Sequence, residues 1–462
     1  MSVGGYGLAM RVPPLLAVTL LAATIGLAAC GDDEGGGRAE PAAATGTGVP
    51  TAPTVPQAAG PRGAVPVTVP AGMTAAPFDR PRTIELPAGW TASVYARIGR
   101  ARFISPTPSG EMLVSQPSTG KVLLLKNGQT SDFITGLRQP HDIVFAEVGG
   151  RQWVFIAESH RIMRHPYTPG DTRARPGEVA VDGLPDNSTP ELRGNYGHFL
   201  KNIAVHGGTL YVSIASTCNA CASDTVSDPQ RGTIYTYDAA GTNAGRKLFA
   251  RGLRNAEGLA FVPGTDELWV VVNNRDNTLV PDDRDDDGDG SGDRGKPVTA
   301  FVDNYPVEPF TRVVQDGNYG WPFCNPDSDN GVRKMPFHRD YELNRDGAAA
   351  DCTKATPIEV GLQAHSAPLG LTFTKGTRAP DLGAVIAQHG SWNRSSPSGY
   401  KVIYFPWTAS GPGEERDLAS GFLEANGKAW GRPVDVAVDT DGSFLVTDDA
   451  AGAVYRLVPP AA

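Results

Sequence analysis

A unit of short apolar strands and tight turns recurs along the chain, and this recurrence restricts the fold more than any other feature. The clearest copy runs through Pro433–Val438, the turn Asp439-Thr440-Asp441-Gly442, a second strand at 443–447 and a closing strand at 453–457. Similar units begin near Phe103, Asp142, Asn202, Gly258 and Leu369. In the Asn202 unit the second strand reads 209–213 and the third 233–237; in the Gly258 unit the second reads 267–272. Short β-rich runs bounded by Gly, Asp and Pro are strand and turn signals. Repeats of roughly 40–50 residues with several strands each predict a propeller. The count of units predicts an all-β, six-bladed β-propeller over residues 81–462, with long insertions in the later blades. A two-sheet sandwich is the alternative, but it leaves the recurrence unexplained. In a propeller, residues at the starts of successive blades converge on a central channel.

Composition agrees with a turn-rich fold: the 462 residues include 55 Gly and 39 Pro. The net charge of -9 argues against nucleic acid as a partner, because phosphate binding needs a basic surface.

The N-terminus reads as a targeting segment. Arg11 precedes an apolar run at 15–29 that is short for a membrane span and suits a signal-peptide core. It ends Leu27-Ala28-Ala29-Cys30, which resembles a bacterial lipobox and predicts a signal peptide at 1–29 with Cys30 lipidated. The expected location is the cell envelope, with membrane contact through the lipid alone. Residues 30–80, rich in Gly, Ala, Pro and Thr, are expected to form a disordered tether.

Four cysteines remain. In an exported protein an even number points to disulfides, and sequence proximity favours Cys218–Cys221 and Cys324–Cys352. The second pair is expected to close a loop with little regular structure. Haem attachment at Cys218-Asn219-Ala220-Cys221 would need a His next, where Ala222 stands.

A series of motifs then carries chemistry. Gly197-His198-Phe199-Leu200-Lys201-Asn202 comes first, followed by Arg251-Gly252-Leu253-Arg254-Asn255-Ala256-Glu257-Gly258. Next are Asn318-Tyr319-Gly320-Trp321-Pro322 and His365-Ser366-Ala367-Pro368-Leu369-Gly370. His389-Gly390-Ser391-Trp392-Asn393-Arg394 and Trp430-Gly431-Arg432-Pro433 close the series. In this order they resemble the soluble quinoprotein glucose/sorbosone dehydrogenase family, over roughly residues 83–459, and above all its L-sorbosone and PQQ-dependent pyranose dehydrogenase branches.

The resemblance implies a propeller that binds pyrroloquinoline quinone (PQQ) and calcium at the channel mouth. It implies oxidation of a sugar by hydride transfer to the quinone, with electrons leaving to a separate acceptor. His198 matches the family's base, and a neutral imidazole suits removal of a hydroxyl proton. Arg254 and Asn255 match contacts to the cofactor, where a fixed guanidinium would stabilise charge arriving on the quinone. Ala256 stands where the family often has Pro. Asn274 and Arg275 match positions that give backbone carbonyls to calcium, a hard cation served by oxygen. Arg432 matches the first of an arginine pair on the PQQ carboxylates; the second position is Val434, and Arg394 is the candidate substitute. His365 and His389 are further candidate contacts.

Separately, Asp285, Asp287, Asp289 and Asp293 follow the early spacing of a calcium loop, although Lys296 occupies the position where a bidentate Glu would close it. A solvated acidic loop is the plain alternative. For function, the alternatives are a calcium-dependent lactonase-like hydrolase and a non-enzymatic binding propeller. Converging Arg and His favour an anionic cofactor over a carboxylate-rich metal centre.

Overall fold

The computed structural model describes residues 61–374 and 382–460. Six small sheets form a six-bladed β-propeller, and a two-stranded hairpin lies outside them. The innermost strands are Ile104–Pro106, Ile143–Val148, Ile203–His206, Asn255–Phe261, Pro368–Thr374 and Pro433–Val438. Each neighbours the next and the last neighbours the first, so they ring the channel. The predicted blade starts fall within three residues of these strands, and the sandwich alternative is excluded.

Closure joins the two ends of the chain. Thr91–Arg97 pairs antiparallel with Ala453–Val458, setting Val94 opposite Tyr455, so the sixth blade is built from both termini of the domain. The apolar core is correspondingly divided among the six blade interfaces. Leu113, Val122, Val154 and Ile156 pack between blades one and two. Val385, Val402, Val436 and Phe444 pack between blades five and six. Burial of such side chains contributes about 1.5–3 kcal/mol each, so every interface helps hold the ring closed.

Two aspartates stitch inner strands together. Asp142 accepts the Ile143 N–H at 2.7 Å and, from the next blade, the Ile203 N–H at 2.9 Å. Asp435 does the same with Val436 at 2.8 Å and Ile104 at 2.9 Å. Burial raises both carboxyls, Asp142 to about 7. Gly258 lies so close to the fifth blade that a Cβ would stand 2.6 Å from the Leu371 nitrogen.

The tether expectation needs correction at its C-terminal end. Arg62–Thr68 is a strand that pairs antiparallel with Thr83–Pro87 and parallel with Thr91–Arg97. Phe78 is buried against Trp430 and Tyr455. Alternating Val65 and Val67 supply the strand's apolar face, which the surrounding Gly and Pro obscured. The signal peptide, Cys30 and the tether up to residue 60 lie outside the described residues. Among the described residues no helix is long and apolar enough to cross a membrane.

Both expected disulfides are present, with Cα–Cα distances of 5.7 Å for Cys218–Cys221 and 5.6 Å for Cys324–Cys352. The second does not close an irregular loop as expected. Its loop contains the hairpin of Cys324–Pro326 with Phe337–Arg339, and Arg333–Met335, which extends the fourth blade.

Candidate active site

The first two strands of each blade run antiparallel, so residues before the first and after the second lie at the same end of the ring. The chemistry gathers at that end. His198 lies in the segment before Ile203–His206, and Ser216 follows the second strand, Thr209–Ile214. The His198 Nδ1 is 3.0 Å from both the Ser216 carbonyl and its Oγ. A carbonyl only accepts, so Nδ1 carries the proton and Nε2 presents a lone pair. That nitrogen has no protein partner among the described residues. Burial, then the charge of Arg254, pushes the imidazole down to about 4, which keeps it neutral.

Arg254 is 2% exposed. Its guanidinium donates to Asp276 Oδ2 at 3.0 Å and to the carbonyls of Asn219 at 3.1 Å and Asn273 at 3.4 Å. Asp276 also faces His365 Nδ1 at 3.5 Å, and His365 Nε2 lies 2.6 Å from the Val302 carbonyl. Burial alone would lower His365, but Asp276 and Glu308 overcome it and the net shift is upward. With both ring nitrogens engaged, His365 orients Asp276 and is not a free base. His365 and Ala367 hold positive φ angles of 59° and 52°, uncommon outside glycine, so surrounding contacts fix this loop.

The sixth, first and second blades complete the ring of polar groups. His389 Nε2 lies 2.8 Å from Asp449 Oδ1, and Arg102 donates to Asp449 Oδ2 at 2.8 Å. Burial lowers the His389 imidazole despite that carboxylate. Arg432 donates to the carbonyls of His389 and Gly390, each at 3.0 Å. Asn255 donates to Glu257 at 3.0 Å, and Glu257 meets the fully buried His141 at 3.2 Å. Burial works to raise the Glu257 carboxyl, but His141 and Arg102 outweigh it.

The remaining candidates divide. Asn274 and Arg275 follow the second strand of blade four, and their carbonyls stay outside the backbone hydrogen-bond network of the described residues. Their other groups are held: the Asn274 N–H by Glu308, the Arg275 side chain by Asp340 and Glu342. Burial raises Glu308 to about 7. Arg394 braces its loop through the carbonyls of Asp303, Ala364 and Ser396. Val434, at the missing arginine position, is buried with Phe103 and Leu369.

The carboxylates of Asp285, Asp287 and Asp289 lie within 4.8 Å of one another on the surface. Asp293 does not join them. It is buried, accepts the N–H groups of Asp286 and Asp287, and pairs with Lys296 at 3.0 Å, so it supports the loop from within.

This donor set fits PQQ. An anion bearing several carboxylates needs cations not already neutralised, and Arg432 has no carboxylate partner among the described residues. Arg254 shares one carboxylate, Asp276, and is fixed in a site nearly closed to water, where a cation acts strongly on developing negative charge. The free carbonyls of Asn274 and Arg275 suit calcium. Asn219, Ser216, Asp276, Asp449, Arg102, Glu257 and His141 were not foreseen. Ser216, Asp276 and Asp449 share one signal: each follows the second strand of its blade.

Known proteins share this fold. The TrAA12-like family model matches residues 84–459. A pyrroloquinoline quinone-dependent pyranose dehydrogenase of Coprinopsis cinerea is 34% identical over 116 residues, 20% of this chain and 15% of that protein. The chain thus spans less than half the length of the curated relatives it matches. The holo form of the pyranose dehydrogenase PQQ domain from Coprinopsis cinerea superposes with a TM-score of 0.64 at 20% identity, covering 81% of this chain and 96% of that one. The calcium structure of the Trichoderma reesei family AA12 enzyme gives 0.65 at 19% identity, with the same coverage. At such identities the solved structures show the fold alone; the family model, spanning every blade, shows that the chain belongs to the TrAA12-like family.

Proposed function

We propose that the chain is a PQQ- and calcium-dependent dehydrogenase that oxidises an aldose, pyranose or sorbosone-like sugar. The observation that carries this reading is His198: one nitrogen anchored on Ser216, the other open, and its charge suppressed beside buried Arg254. Bound PQQ would supply the hydride acceptor. His198 Nε2 takes the proton of the sugar hydroxyl as the C–H bond breaks, so no full positive charge builds on carbon. Arg254 and Arg432 hold anionic groups, and the Asn274 and Arg275 carbonyls hold calcium. Asp276 keeps Arg254 in place. The relatives named above support the same substrate class. In this proposal the chain is a lipoprotein of the cell envelope, anchored at Cys30, and passes electrons to a separate acceptor.

The test is reconstitution. Purified protein is titrated with PQQ in calcium and in chelator, followed by absorption, then assayed for dye reduction with a panel of sugars. Stoichiometric, calcium-dependent PQQ binding and sugar-dependent reduction are expected. Absence of PQQ binding would overturn the reading.

A further inference from the structure

We propose that Trp392 is a carbohydrate-stacking platform at the channel rim, holding the sugar unit next to the one oxidised, so that the preferred substrate has two or more units. This rests on the sugar-dehydrogenase reading and deepens it. Trp392 lies between Gly383–Gln388 and Lys401–Thr408, in the loop that starts with His389 at the active end of the ring. Its side chain is 62% exposed. An exposed indole forgoes the burial of a large apolar surface, so something must hold it there.

The loop does so. Ser391 N–H donates to the Ser398 carbonyl at 2.9 Å, and Ser398 N–H returns a bond to Ser391 Oγ at 2.9 Å. Ser395 N–H donates to Asp303 at 2.9 Å, the Tyr400 hydroxyl donates to the Ser391 carbonyl, and Arg432 grips the Gly390 carbonyl. Bonds on both sides of the indole leave the loop little freedom to fold it away.

The surroundings fit a sugar better than a protein. A protein hot spot sits within a ring of occluding contacts. The other large apolar side chains exposed among the described residues are Val226, in the third blade's insertion, and Val314, directly after Glu308–Val313 of the fourth, so no second exposed large apolar side chain lies in the Trp392 loop. The next residue is polar: Asn393 Nδ2 lies 3.5 Å from Asn277 Oδ1. The Asn393 Oδ1 and the Thr278 Oγ1 are buried without a hydrogen-bond partner among the described residues. A pyranose offers an apolar C–H face to the indole and hydroxyls at its edge, which suits an exposed ring flanked in sequence by Ser391 and Asn393.

The test compares wild type, Trp392→Ala and Trp392→Phe, all loaded with PQQ and calcium, with thermal melting to check folding. The measurements are kcat/KM for glucose and mannose and for their β-1,4-linked disaccharides, together with calorimetric Kd values for the disaccharides. Trp392→Ala is expected to lower the disaccharide-to-monosaccharide ratio of kcat/KM and to weaken disaccharide binding, each about tenfold, while Trp392→Phe recovers most of both. An unchanged ratio and Kd in Trp392→Ala, or a wild type without preference for the longer sugar, overturns the proposal. Should no sugar be oxidised, calorimetry still decides. Disaccharide binding lost in Trp392→Ala keeps the platform while the dehydrogenase reading falls, and no saccharide binding overturns both.

Discussion

Asn219 and Asp276 hold each other through a reciprocal pair of hydrogen bonds: Asn219 Nδ2 donates to the Asp276 carbonyl at 2.7 Å, and Asp276 N–H donates to Asn219 Oδ1 at 2.8 Å. Asn219 sits inside the Cys218–Cys221 disulfide, and its own carbonyl receives Arg254 Nε at 3.1 Å and Trp321 Nε1 at 3.0 Å. The small disulfide loop of blade three therefore sets the guanidinium of blade four. Asn219→Ala removes both side-chain bonds, at about 1 kcal/mol each, so denaturant unfolding should report a loss of about 1–3 kcal/mol. Arg254 would lose its alignment as well, so PQQ affinity and turnover should both fall. Unchanged PQQ titration in a folded Asn219→Ala protein would show that the loop does not set Arg254.

The pH dependence follows from His198. Its imidazole lies at about 4, below the ordinary 6.5, so the base stays neutral over most of the acid range. We expect kcat/KM to hold through pH 6.5 and to fall only as pH drops through about 4. Arg254 is the second cause of the shift after burial, so Arg254→Met should move the acid limb of the remaining activity upward.

Stability carries two opposed contributions. Between pH 4 and 6.5 the unfolded chain binds a His198 proton that the folded protein refuses; that contribution is full above 6.5 and is lost as pH falls towards 4. Glu308, raised from 4.5 to about 7, acts the other way: its contribution is full below 4.5 and is lost as pH rises through 7. His198→Gln and Glu308→Gln should remove these slopes separately in unfolding measured across pH.

The blade starts were legible because a unit of short apolar strands and tight turns recurs along the chain, even where insertions stretch it. His198, Arg254 and Arg432 were legible through motifs beside those starts. Asn219, Asp276 and Asp449 were not. They act across blades, from loops whose one mark in the sequence is that they follow a second strand, and the partner of each lies on another part of the chain. Asp449 reaches Arg102 from the other end of the chain, a contact made by ring closure alone. Lys296 already ruled out a complete acidic calcium loop in sequence, whereas the inward turn of Asp293 needed the fold. The strand at Arg62–Thr68 was hidden by composition: two valines and one proline among small residues read as a tether until a partner strand is supplied.

The Cys324–Cys352 bond spans a separation of 28 residues within the fourth-blade insertion. In the chain-entropy account a loop of that length contributes about 3–4 kcal/mol. The double variant Cys324→Ser/Cys352→Ser should lower the free energy of unfolding, measured by denaturant titration, by about that amount. Non-reducing peptide mapping of the wild type should recover the linked pair.

The last prediction separates proton transfer from cofactor binding. His198 touches neither Arg432 nor the Asn274–Arg275 carbonyls, and its anchor is Ser216 in its own blade. His198→Ala should therefore bind PQQ as the wild type does, with turnover reduced on the order of 10²–10⁴-fold, the usual contribution of a general base. Arg254→Ala removes a buried charge, leaves Asp276 without its main partner and opens the contact to Asn219. Both PQQ affinity and turnover should fall, and a loss of stability should accompany them because a buried carboxylate loses its guanidinium partner and keeps only His365. PQQ titration by absorption, dye-reduction kinetics and thermal melting on the same samples distinguish the two patterns. Full activity in His198→Ala would place the base elsewhere. His365 would be a poor replacement, because Asp276 and Val302 already engage both of its nitrogens; His389, tied through Nε2 alone, would be the group to test.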